Sequence, residues 1–314
     1  MTIEDASQRC EKLRENISRV VLGKEELVES LLIALISGEH VLLEDVPGVG
    51  KTLAAKALAA SIEGRFSRLQ FTPDLLPADI TGSMVYRSDT GKFEFSPGPI
   101  FANIVLADEI NRAPPRTQSA LLEAMAEHQV SIDGVTHSLP EPFMVVATQN
   151  PFEFEGTYAL PESQLDRFLL RTAIGYPDRE HEKRVLTTHR AGEPVDGLGA
   201  VLAAPEVVAA QRAVGDVRFD DSLMNYLLDI VAATRKHDGF QVGVSTRGAL
   251  SFSRGAQARA IVQGRDYVTP DDIKSLAVPA LAHRVLPEGI FQGADRLAVE
   301  QQIADLVEPI AVPV

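Results

Sequence analysis

The sequence predicts an α/β protein with a parallel sheet, followed by a smaller all-α domain. Two observations lead to this fold class. Short apolar runs alternate with helical patterns as far as about Pro177, and only helical patterns follow. Strands that alternate with helices form parallel sheets, because parallel neighbours need a crossover connection between them. We therefore predict a core domain over residues 1–190, a linker rich in Gly and Ala over 191–204 and a helical domain over 205–314.

Each element of the first 71 residues has a local signal. Apolar residues recur every three or four positions from Ile3 to Ile17, which is one face of an amphipathic helix. A second helical pattern stops near Gly38, and an alanine- and leucine-rich stretch favours a third helix. Two apolar runs between these patterns predict buried strands. In chain order the predicted elements are helix 3–17, helix 25–36, strand 40–44, helix 53–60 and strand 66–71.

Two insertions interrupt the alternation of strands and helices further along the chain. Pro and Gly break up residues 72–101, where Phe93 and Phe95 alternate with polar neighbours, so we expect a loop region that is partly a β-hairpin. Asp133 and Gly134 lie between β-prone residues and predict a second hairpin over 129–139. The other predicted elements are strand 103–109, helix 117–127, strand 143–148 and strand 169–174.

The composition limits the possible classes of protein. Hydrophobic residues make up 45% of the chain and charged residues 24%, as in soluble globular proteins. The net charge of −14 argues against a broad nucleic-acid-binding face, although it leaves room for a local basic stripe or pore. Cys10 is the only cysteine, which fits a reducing compartment. With no signal-peptide pattern and no apolar run near the roughly 20 residues of a membrane span, we expect a soluble cytoplasmic protein.

A glycine-rich segment follows the strand predicted at 40–44. In the pattern G-x-x-x-x-G-K-[ST], backbone N–H groups hold phosphates, the Lys reaches the β and γ oxygens, and the final hydroxyl binds Mg²⁺. Gly50, Lys51 and Thr52 match the end of this pattern. Asp45 stands where the first Gly is expected, so its carboxylate should point away from the phosphates. The predicted nucleotide-binding residues are Asp45, Val46, Pro47, Gly48, Val49, Gly50, Lys51, Thr52 and Leu53.

Polar residues end two further buried strands. Asp108 and Glu109 follow an apolar run, and in proteins with a phosphate loop an Asp there holds Mg²⁺ while the next Glu can deprotonate the attacking water. An isolated Asp-Glu pair could instead end a strand in solvated charges, but its place after a second buried strand favours the catalytic role. Asn150 ends the next strand. It can orient the water or start a turn before Pro151, and the residues alone leave both roles open.

Three segments of the chain resemble the MoxR family of AAA+ ATPases, and the match extends over nearly the whole sequence. The resemblance implies an AAA+ P-loop domain with a parallel sheet and helices on both faces, followed by a small C-terminal all-α lid domain. It also implies two insertions, near 72–101 and 129–139, as in the branch that includes magnesium chelatase subunits. The segments are Phe71–Gly82, Leu106–Met125 and Ala147–Pro151.

The resemblance also implies roles for individual residues. Lys51 and Thr52 match the Walker A motif, where Asp45 is tolerated, and Asp108 and Glu109 match Walker B. The other implied roles are first sensor for Asn150, arginine finger for Arg167, second sensor for Arg247, and adenine contact for the turn containing Val21 and Leu22.

The arginines have alternative interpretations. Arg167 could be a surface salt-bridge partner of Asp166 or Glu162. Arg247 could act on the nucleotide of its own chain or on that of a neighbour, because the insertion displaces the lid in this branch. Arg112 and Arg116 are weaker candidates for contacts between subunits. Three histidines lack the spacing of metal ligands, and we expect surface or turn roles for them: His40, His128 and His137.

The predicted function is ATP hydrolysis that drives chaperone-like remodelling, maturation or assembly of protein complexes. The implied cofactors are ATP and Mg²⁺. The implied partners are further copies of the chain in a ring, usually of six, a von Willebrand factor A-domain protein and a protein client. The tips at 83–97 and 131–137 are expected to contact the client. A nucleic-acid motor and a nucleotide-gated binding module with little turnover remain alternatives, with no nucleic acid expected from the net charge.

Overall fold

The structure is a computed structural model, and it describes residues 1–151, 156–188, 193–289 and 296–313. Within these residues the strands are β1 (Val41–Glu44), β2 (Ile62–Glu63), β3 (Phe66–Gln70), β4 (Gly82–Arg87), β5 (Lys92–Pro97), β6 (Ile104–Asp108), β7 (Gln129–Ile132), β8 (Val135–Ser138), β9 (Met144–Gln149), β10 (Leu170–Thr172), β11 (Leu202–Ala203), β12 (Phe240–Val242) and β13 (Leu286–Pro287). The α-helices are α1 (Ile3–Ser18), α2 (Glu25–Ser37), α3 (Lys51–Ala60), α4 (Pro77–Thr81), α5 (Pro115–Glu127), α6 (Glu162–Leu165), α7 (Arg179–Thr188), α8 (Ala204–Ala213), α9 (Asp221–Lys236), α10 (Thr246–Val262), α11 (Pro270–Leu281) and α12 (Arg296–Val307).

Five parallel strands form the central sheet, in the order β10-β1-β9-β6-β3. The strand that leads into the phosphate loop, β1, therefore lies beside β9, and β9 lies beside β6. The carboxyl ends of all five strands lie at one end of the sheet because the strands are parallel. We call this the carboxyl end, and the opposite one the amino end. Ligands of open α/β sheets bind at the carboxyl end.

Helices cover both faces of this sheet. Val41 and Leu43 pack into the apolar cluster built with α1, α2 and α3, whereas Leu42 packs into the cluster built with α5. Successive side chains of a strand point to opposite faces, so the interior strands β6 and β9 are apolar over most of their length. The predicted fold class of a parallel sheet with helices on both faces is confirmed.

Two hairpins project from the sheet domain. β4 and β5 pair antiparallel after the short helix α4, and β7 pairs with β8. Asp133 and Gly134 join β7 to β8 with φ values of 50° and 80°, as a two-residue hairpin turn with two left-handed residues requires. The rings of Phe95 and His137 stack with centroids 4.0 Å apart, so the two hairpins contact each other.

The C-terminal part of the chain, from α8 to α12, is largely helical. A short antiparallel pair, β12 with β13, lies among its helices. The prediction of helices alone after about Pro177 missed this pair, because strands of three and two residues are too short to leave an alternating pattern. In the segment predicted as a linker, β11 pairs with β2 of the core. Within the described residues, no helix is both long enough and apolar enough to cross a bilayer.

The expectation of a surface or turn role is wrong for His40. Its ring is buried between α5 and β9, where Nε2 lies 3.1 Å from the oxygen of Met125 and Nδ1 accepts from the N–H of Val145 at 3.1 Å. Burial lowers the pKa of His40 to about 4, so the ring is neutral at pH 7. The sequence could not show this, because both partners are distant in the chain. His128 does end α5 in a turn, with φ of 52°.

Candidate active site

The loop that joins β1 to α3 is shaped to bind an anion. Gly48 has a φ of 86° and Gly50 a φ of 100°, which is the left-handed region that residues with a Cβ rarely adopt. Helix α3 begins at Lys51, directly after Gly50. Its unpaired first N–H groups and the positive end of its dipole therefore face the loop. A loop of this kind before a helix start is a phosphate-binding arrangement.

Lys51 lies between this loop and strand β9. Its ammonium group donates to the main-chain oxygens of Asp45 and Gln149, the latter at 3.3 Å. Burial lowers the pKa of Lys51, and the carboxylates of Asp45 and Asp108 oppose that change. The cation is thus at the carboxyl end of the sheet, within the field of the acids that follow β6. Thr52 occupies the next position in the first turn of α3.

The carboxylate of Asp45 is turned toward strand β10. One of its oxygens accepts from the backbone N–H groups of Ile174 and Gly175, at 2.8 and 2.6 Å. The other accepts from the N–H of Val46 at 2.7 Å. Asp45 therefore ties the start of the phosphate loop to the chain that leaves β10, a role that glycine could not fill.

Asp108 ends β6 as a buried carboxylate with partners on both oxygens. Oδ1 accepts from the hydroxyl of Thr148 at 2.6 Å. Oδ2 accepts from Arg68, at 2.7 Å from Nη2 and 3.2 Å from Nε. Strands β9 and β3, which flank β6, supply these partners. The acid predicted to hold Mg²⁺ is thus fixed from both sides.

Glu109 adopts a backbone conformation that is uncommon for a side-chain-bearing residue, with φ of 57°. Its N–H donates to the hydroxyl of Thr148 at 2.9 Å. Its Oε2 accepts from Gln70 at 2.8 Å and from Arg112 at 3.0 Å. Strained backbone of this kind occurs where a side chain must be aimed. Thr148 therefore orients both acids, since its single hydroxyl donates to Asp108 and accepts from Glu109.

Asn150 follows β9, between the strands that carry the phosphate loop and the acids. Its main-chain oxygen accepts from Asn111 at 3.4 Å. The preceding residue, Gln149, donates to Glu44 at 3.1 Å. The structure therefore brings the predicted first sensor to the carboxyl end of the sheet, together with Lys51 and the acid pair.

The predicted adenine-contacting turn lies near the same end. Val21 is buried and Leu22 is half-buried, in the turn between α1 and α2. Lys24, two residues on, donates to the main-chain oxygen of Tyr176 at 2.8 Å. Tyr176 follows Gly175, whose N–H is bound by Asp45. The turn and the phosphate loop thus share one connecting segment.

The lid also reaches the carboxyl end. Arg296, at the start of α12, donates to the main-chain oxygen of Glu44 at 2.9 Å and pairs with its carboxylate at 3.2 Å. Arg171 lies 3.6 Å from the same carboxylate, and Glu300 accepts from Arg296 at 2.6 Å. This cluster of two arginines and two glutamates joins α12 to the residue just before the phosphate loop.

The two remaining predicted arginines lie at the amino end of the sheet. Arg167 precedes β10, and the N–H of Leu169 donates to the oxygen of His40, just before β1. Lys51 lies beyond the other end of β1. The length of this strand, roughly 10 Å, separates the segment of Arg167 from the phosphate loop. Arg247, near the start of α10, is exposed. Two residues before Arg247, the hydroxyl of Ser245 donates to Asp166 at 3.2 Å, which puts Arg247 at the amino end too.

A buried cation connects the segments that carry these two arginines. The side chain of Arg284 is 1% exposed and pairs with Asp166 at 3.2 Å. It also donates to the main-chain oxygens of Phe168 at 2.8 Å and Gly248 at 3.0 Å. These residues directly follow Arg167 and Arg247. The salt bridge considered for Arg167 with Asp166 is thus replaced by one from Arg284, and within the described ranges no carboxylate pairs with Arg167.

Sequence reasoning missed several residues of this site. Arg68 and Gln70 are two positions apart on a predicted strand, so their side chains point to the same face. This spacing could have predicted a polar face on β3. Thr148 is a hydroxyl in an otherwise apolar strand, which is a weaker signal. Arg284 had no local signal, because its three partners come from other segments.

The donors at the carboxyl end fit a magnesium nucleotide. Mg²⁺ prefers hard oxygen ligands and usually combines one or two protein ligands with phosphate oxygens and water. The Thr52 hydroxyl and the Asp108 carboxylate are ligands of this type. Among the described residues, no three His, Cys, Asp or Glu side chains form a metal cluster of their own. A metal ion here would therefore depend on the nucleotide phosphates.

Two family models match the chain. The model of the ATPase family associated with various cellular activities (AAA) matches residues 40–170, and the AAA lid domain model matches residues 232–306. A crystal structure of a protein from Cytophaga hutchinsonii superposes with a TM-score of 0.88 at 37% identity. It covers 98% of this chain and 96% of its own. Fold and site thus define an AAA+ P-loop ATPase with a helical lid.

Relatives narrow this class to one family. Protein YeaC of Bacillus subtilis is 50% identical over 307 residues, which is 97% of this chain and 96% of the relative. Chaperone MoxR1 of Mycobacterium tuberculosis is 41% identical over 307 residues, 95% of this chain and 80% of its own. Protein MoxR of Methylorubrum extorquens is 29% identical and covers 98% of this chain and 96% of its own. The chain belongs to the MoxR family of AAA+ ATPases, as its motifs predicted.

Proposed function

We propose that this chain hydrolyses ATP as one subunit of a homo-oligomeric ring and that hydrolysis drives remodelling, maturation or assembly of protein complexes. The observation that carries the proposal is the grouping at one end of the sheet. The phosphate loop, Lys51, the acid pair and Asn150 follow three adjacent strands, β1, β6 and β9. Membership of an ATPase family supports the hydrolytic reading of that grouping.

In this proposal each residue has a distinct task. The loop N–H groups and Lys51 bind the phosphates and neutralise charge as the γ-phosphoryl group transfers. Thr52 and Asp108 would hold Mg²⁺, which when bound screens the phosphate charge. Glu109 accepts a proton from the attacking water, and Asn150 orients that water. The Thr148 hydroxyl keeps both acids in position.

Two arginines act on the neighbouring subunit in this proposal. Arg167 and Arg247 lie at the amino end of the sheet, across β1 from the phosphate loop of their own chain. Neither can reach that loop without a large rearrangement. A neighbour placed against this end would receive both, Arg167 as arginine finger and Arg247 as second sensor. This placement favours action in trans for Arg247, and the family resemblance implies a ring of six.

The client is proposed to be a protein. One relative bears the name Chaperone MoxR1, and the acidic net charge of −14 weighs against nucleic acid. A von Willebrand factor A-domain protein as partner follows from the family resemblance. The single cysteine, which is buried, fits a cytoplasmic location.

The two hairpins are the proposed client contacts. Tyr86 and Phe93 face each other across β4 and β5 with ring centroids 5.4 Å apart, and they are 57% and 67% exposed. Val135, at the tip of the other hairpin, is 56% exposed. Exposed apolar groups on projecting strands suit contact with apolar segments of a polypeptide. The stack of Phe95 on His137 would couple the movements of the two hairpins when a client binds.

A steady-state ATPase assay tests the catalytic proposal. Lys51→Ala should abolish nucleotide binding, whereas Glu109→Gln should bind ATP, retain it and turn over about 10²–10⁴-fold more slowly. Glu123→Gln removes the same charge from an exposed site on α5 and serves as control. A pull-down with the ATP-retaining variant then identifies the client. Unchanged turnover in both active-site variants would reject the catalytic proposal. Negligible turnover by the unaltered chain, with and without candidate partners, would favour a nucleotide-gated binding module.

The double variant Tyr86→Ser/Phe93→Ser tests the client contact. It should leave basal ATPase unchanged and abolish client processing, because both side chains are exposed and face each other on the hairpin of β4 and β5. Arg87→Gln, which breaks a surface ion pair with Glu94 on the same hairpin, should have little effect. Normal processing by a folded double variant would exclude the hairpin as the contact.

A further inference from the structure

Arg68 occupies an unusual position beside the candidate metal ligand. It lies on β3, at the edge of the sheet, and its guanidinium donates twice to the same oxygen of Asp108, at 2.7 and 3.2 Å. The side chain of Asp108 is 11% exposed and that of Arg68 is 48% exposed. The family motifs in the sequence do not assign a role to this arginine.

The electrostatics of Asp108 require a cation. A carboxylate that is almost fully removed from water is costly unless a positive charge or several donors compensate it. The Thr148 hydroxyl satisfies Oδ1 but carries no charge. Arg68 supplies the charge at Oδ2, the oxygen that faces strand β3. A divalent cation bound at this carboxylate would meet the guanidinium there, and the two positive charges would repel.

Arg68 also has an alternative place to go. Its Nη2 donates to the side-chain oxygen of Gln70 at 3.1 Å, and half of its side chain is already in solvent. Release from Asp108 would therefore leave the guanidinium hydrated and partly hydrogen-bonded. The cost of release is small compared with that of freeing a buried arginine.

We propose that Arg68 is an internal counter-ion of the metal carboxylate, which neutralises Asp108 and must leave it when Mg²⁺ binds with the nucleotide. Arg68 is thus a positioning residue that weakens metal binding. The inference rests on the proposed nucleotide–metal site. It implies that the site takes up Mg²⁺ together with nucleotide and holds its acid in place between turnovers.

The test is a Mn²⁺ titration of the full chain in complex with adenylyl imidodiphosphate, an ATP analogue that is not hydrolysed, with free Mn²⁺ followed by electron paramagnetic resonance. Arg68→Gln should bind Mn²⁺ about 3- to 10-fold more tightly than the unaltered chain, because the competing ion pair is gone. Damage to the fold would change affinity in the opposite direction. Arg68→Lys, which keeps the charge but not the two-point contact, should lie between the two.

Arg112→Gln is the matched control. It removes an equal charge from the same region, but Arg112 contacts Glu109 rather than Asp108. Tightening by Arg68→Gln that clearly exceeds that of Arg112→Gln supports the inference. Equal tightening by both would mean a general charge effect and overturn it, as would unchanged or weaker Mn²⁺ binding by Arg68→Gln.

A further variant separates this inference from the proposed metal site. Asp108→Asn should weaken Mn²⁺ binding in the same titration. If it does not, Asp108 is not a metal ligand, and the proposed site fails along with the inference. If it does, and Arg68→Gln has no effect, the site stands and only the role of Arg68 is rejected.

Discussion

The two ends of the parallel sheet carry complementary chemistry. At the carboxyl end, left-handed glycines, a helix start and Lys51 form a phosphate site, and two acids are held beside it. At the amino end, Arg167 and Arg247 are presented by segments that the buried Arg284 holds together. In the proposed function, the carboxyl end binds the nucleotide and activates water, and the amino end supplies two arginines to a neighbouring subunit.

Under the proposed roles of these arginines, neither end of a single chain holds a full catalytic set. The segments at both ends are fixed by contacts within the chain, so neither end depends on a partner to become ordered. What a partner would add is charge complementarity, since the exposed arginines of one subunit match the phosphate site of the next.

Among the tests of this comparison, Arg167→Ala should have the largest effect. It should slow turnover about 10³–10⁵-fold, as the loss of an arginine finger does, while nucleotide binding to the same chain changes little. Mixing it with Glu109→Gln should restore activity, because about a quarter of randomly formed interfaces then combine an intact acid with an intact arginine. Arg218→Ala, which removes an arginine whose side chain is 73% exposed, is the charge-matched control. Absence of any restoration would place both residues in one chain's site.

Arg284→Met tests whether the amino end is built around its buried cation. The change leaves Asp166 without its charged partner and removes one donor from each of the main-chain oxygens of Phe168 and Gly248. Breaking a buried pair in this way should cost about 3–5 kcal/mol of folding free energy. Urea unfolding measures it. The double variant Arg284→Met/Asp166→Asn should recover part of the loss, and a loss below about 1 kcal/mol would show that the contacts are not coupled.

Thr148→Val tests whether the Thr148 hydroxyl orients the two acids at the carboxyl end. The two side chains have similar shape, but valine neither donates to Asp108 nor accepts from the N–H of Glu109. Residues that orient a metal ligand typically contribute about 10- to 100-fold in activity, so we expect a fall in kcat of that order. Thr148→Ser should restore most of it. An unchanged kcat in Thr148→Val would mean that the acids are oriented by other contacts.

The smallest expected effect concerns pH. His40, at the amino end, has its pKa lowered to about 4 by burial, so protons bind the unfolded chain more readily between about pH 6.5 and 4. Stability is therefore lost as pH falls through that window, by about 1 kcal/mol at pH 5.5. His40→Asn keeps one donor and one acceptor but does not titrate there. The difference in unfolding free energy between the two chains should shrink from pH 7.5 to 5.5, and a constant difference would contradict the assignment.

Much of the fold was predictable from local pattern. Apolar runs gave the five strands of the sheet, and Asp133-Gly134 gave a hairpin with its turn residues. The predicted ends were within a few residues, as for strand 143–148 against Met144–Gln149. The site at the carboxyl end was also predictable, because its motif residues directly follow the predicted strands in the sequence.

The amino end was far less predictable, for a physical reason. Its organisation depends on three buried polar groups, Arg284, His40 and His283, each of which has a partner more than 80 residues away. A polar side chain in isolation predicts exposure, and only tertiary contacts reverse that. At the carboxyl end the same limit hid the contacts that Thr148 and Arg68 make with Asp108 on a neighbouring strand.

The position of Arg167 across the sheet from Lys51 has a consequence for counting active sites. If each complete site is shared by two adjacent subunits, the contact is head-to-tail, and an open row always has one unfilled phosphate site at one terminus and one unused pair of arginines at the other. Two subunits would share one complete site and six in an open row five. Only a closed ring gives every subunit a complete site. The ATPase activity per subunit would therefore report whether the ring is closed.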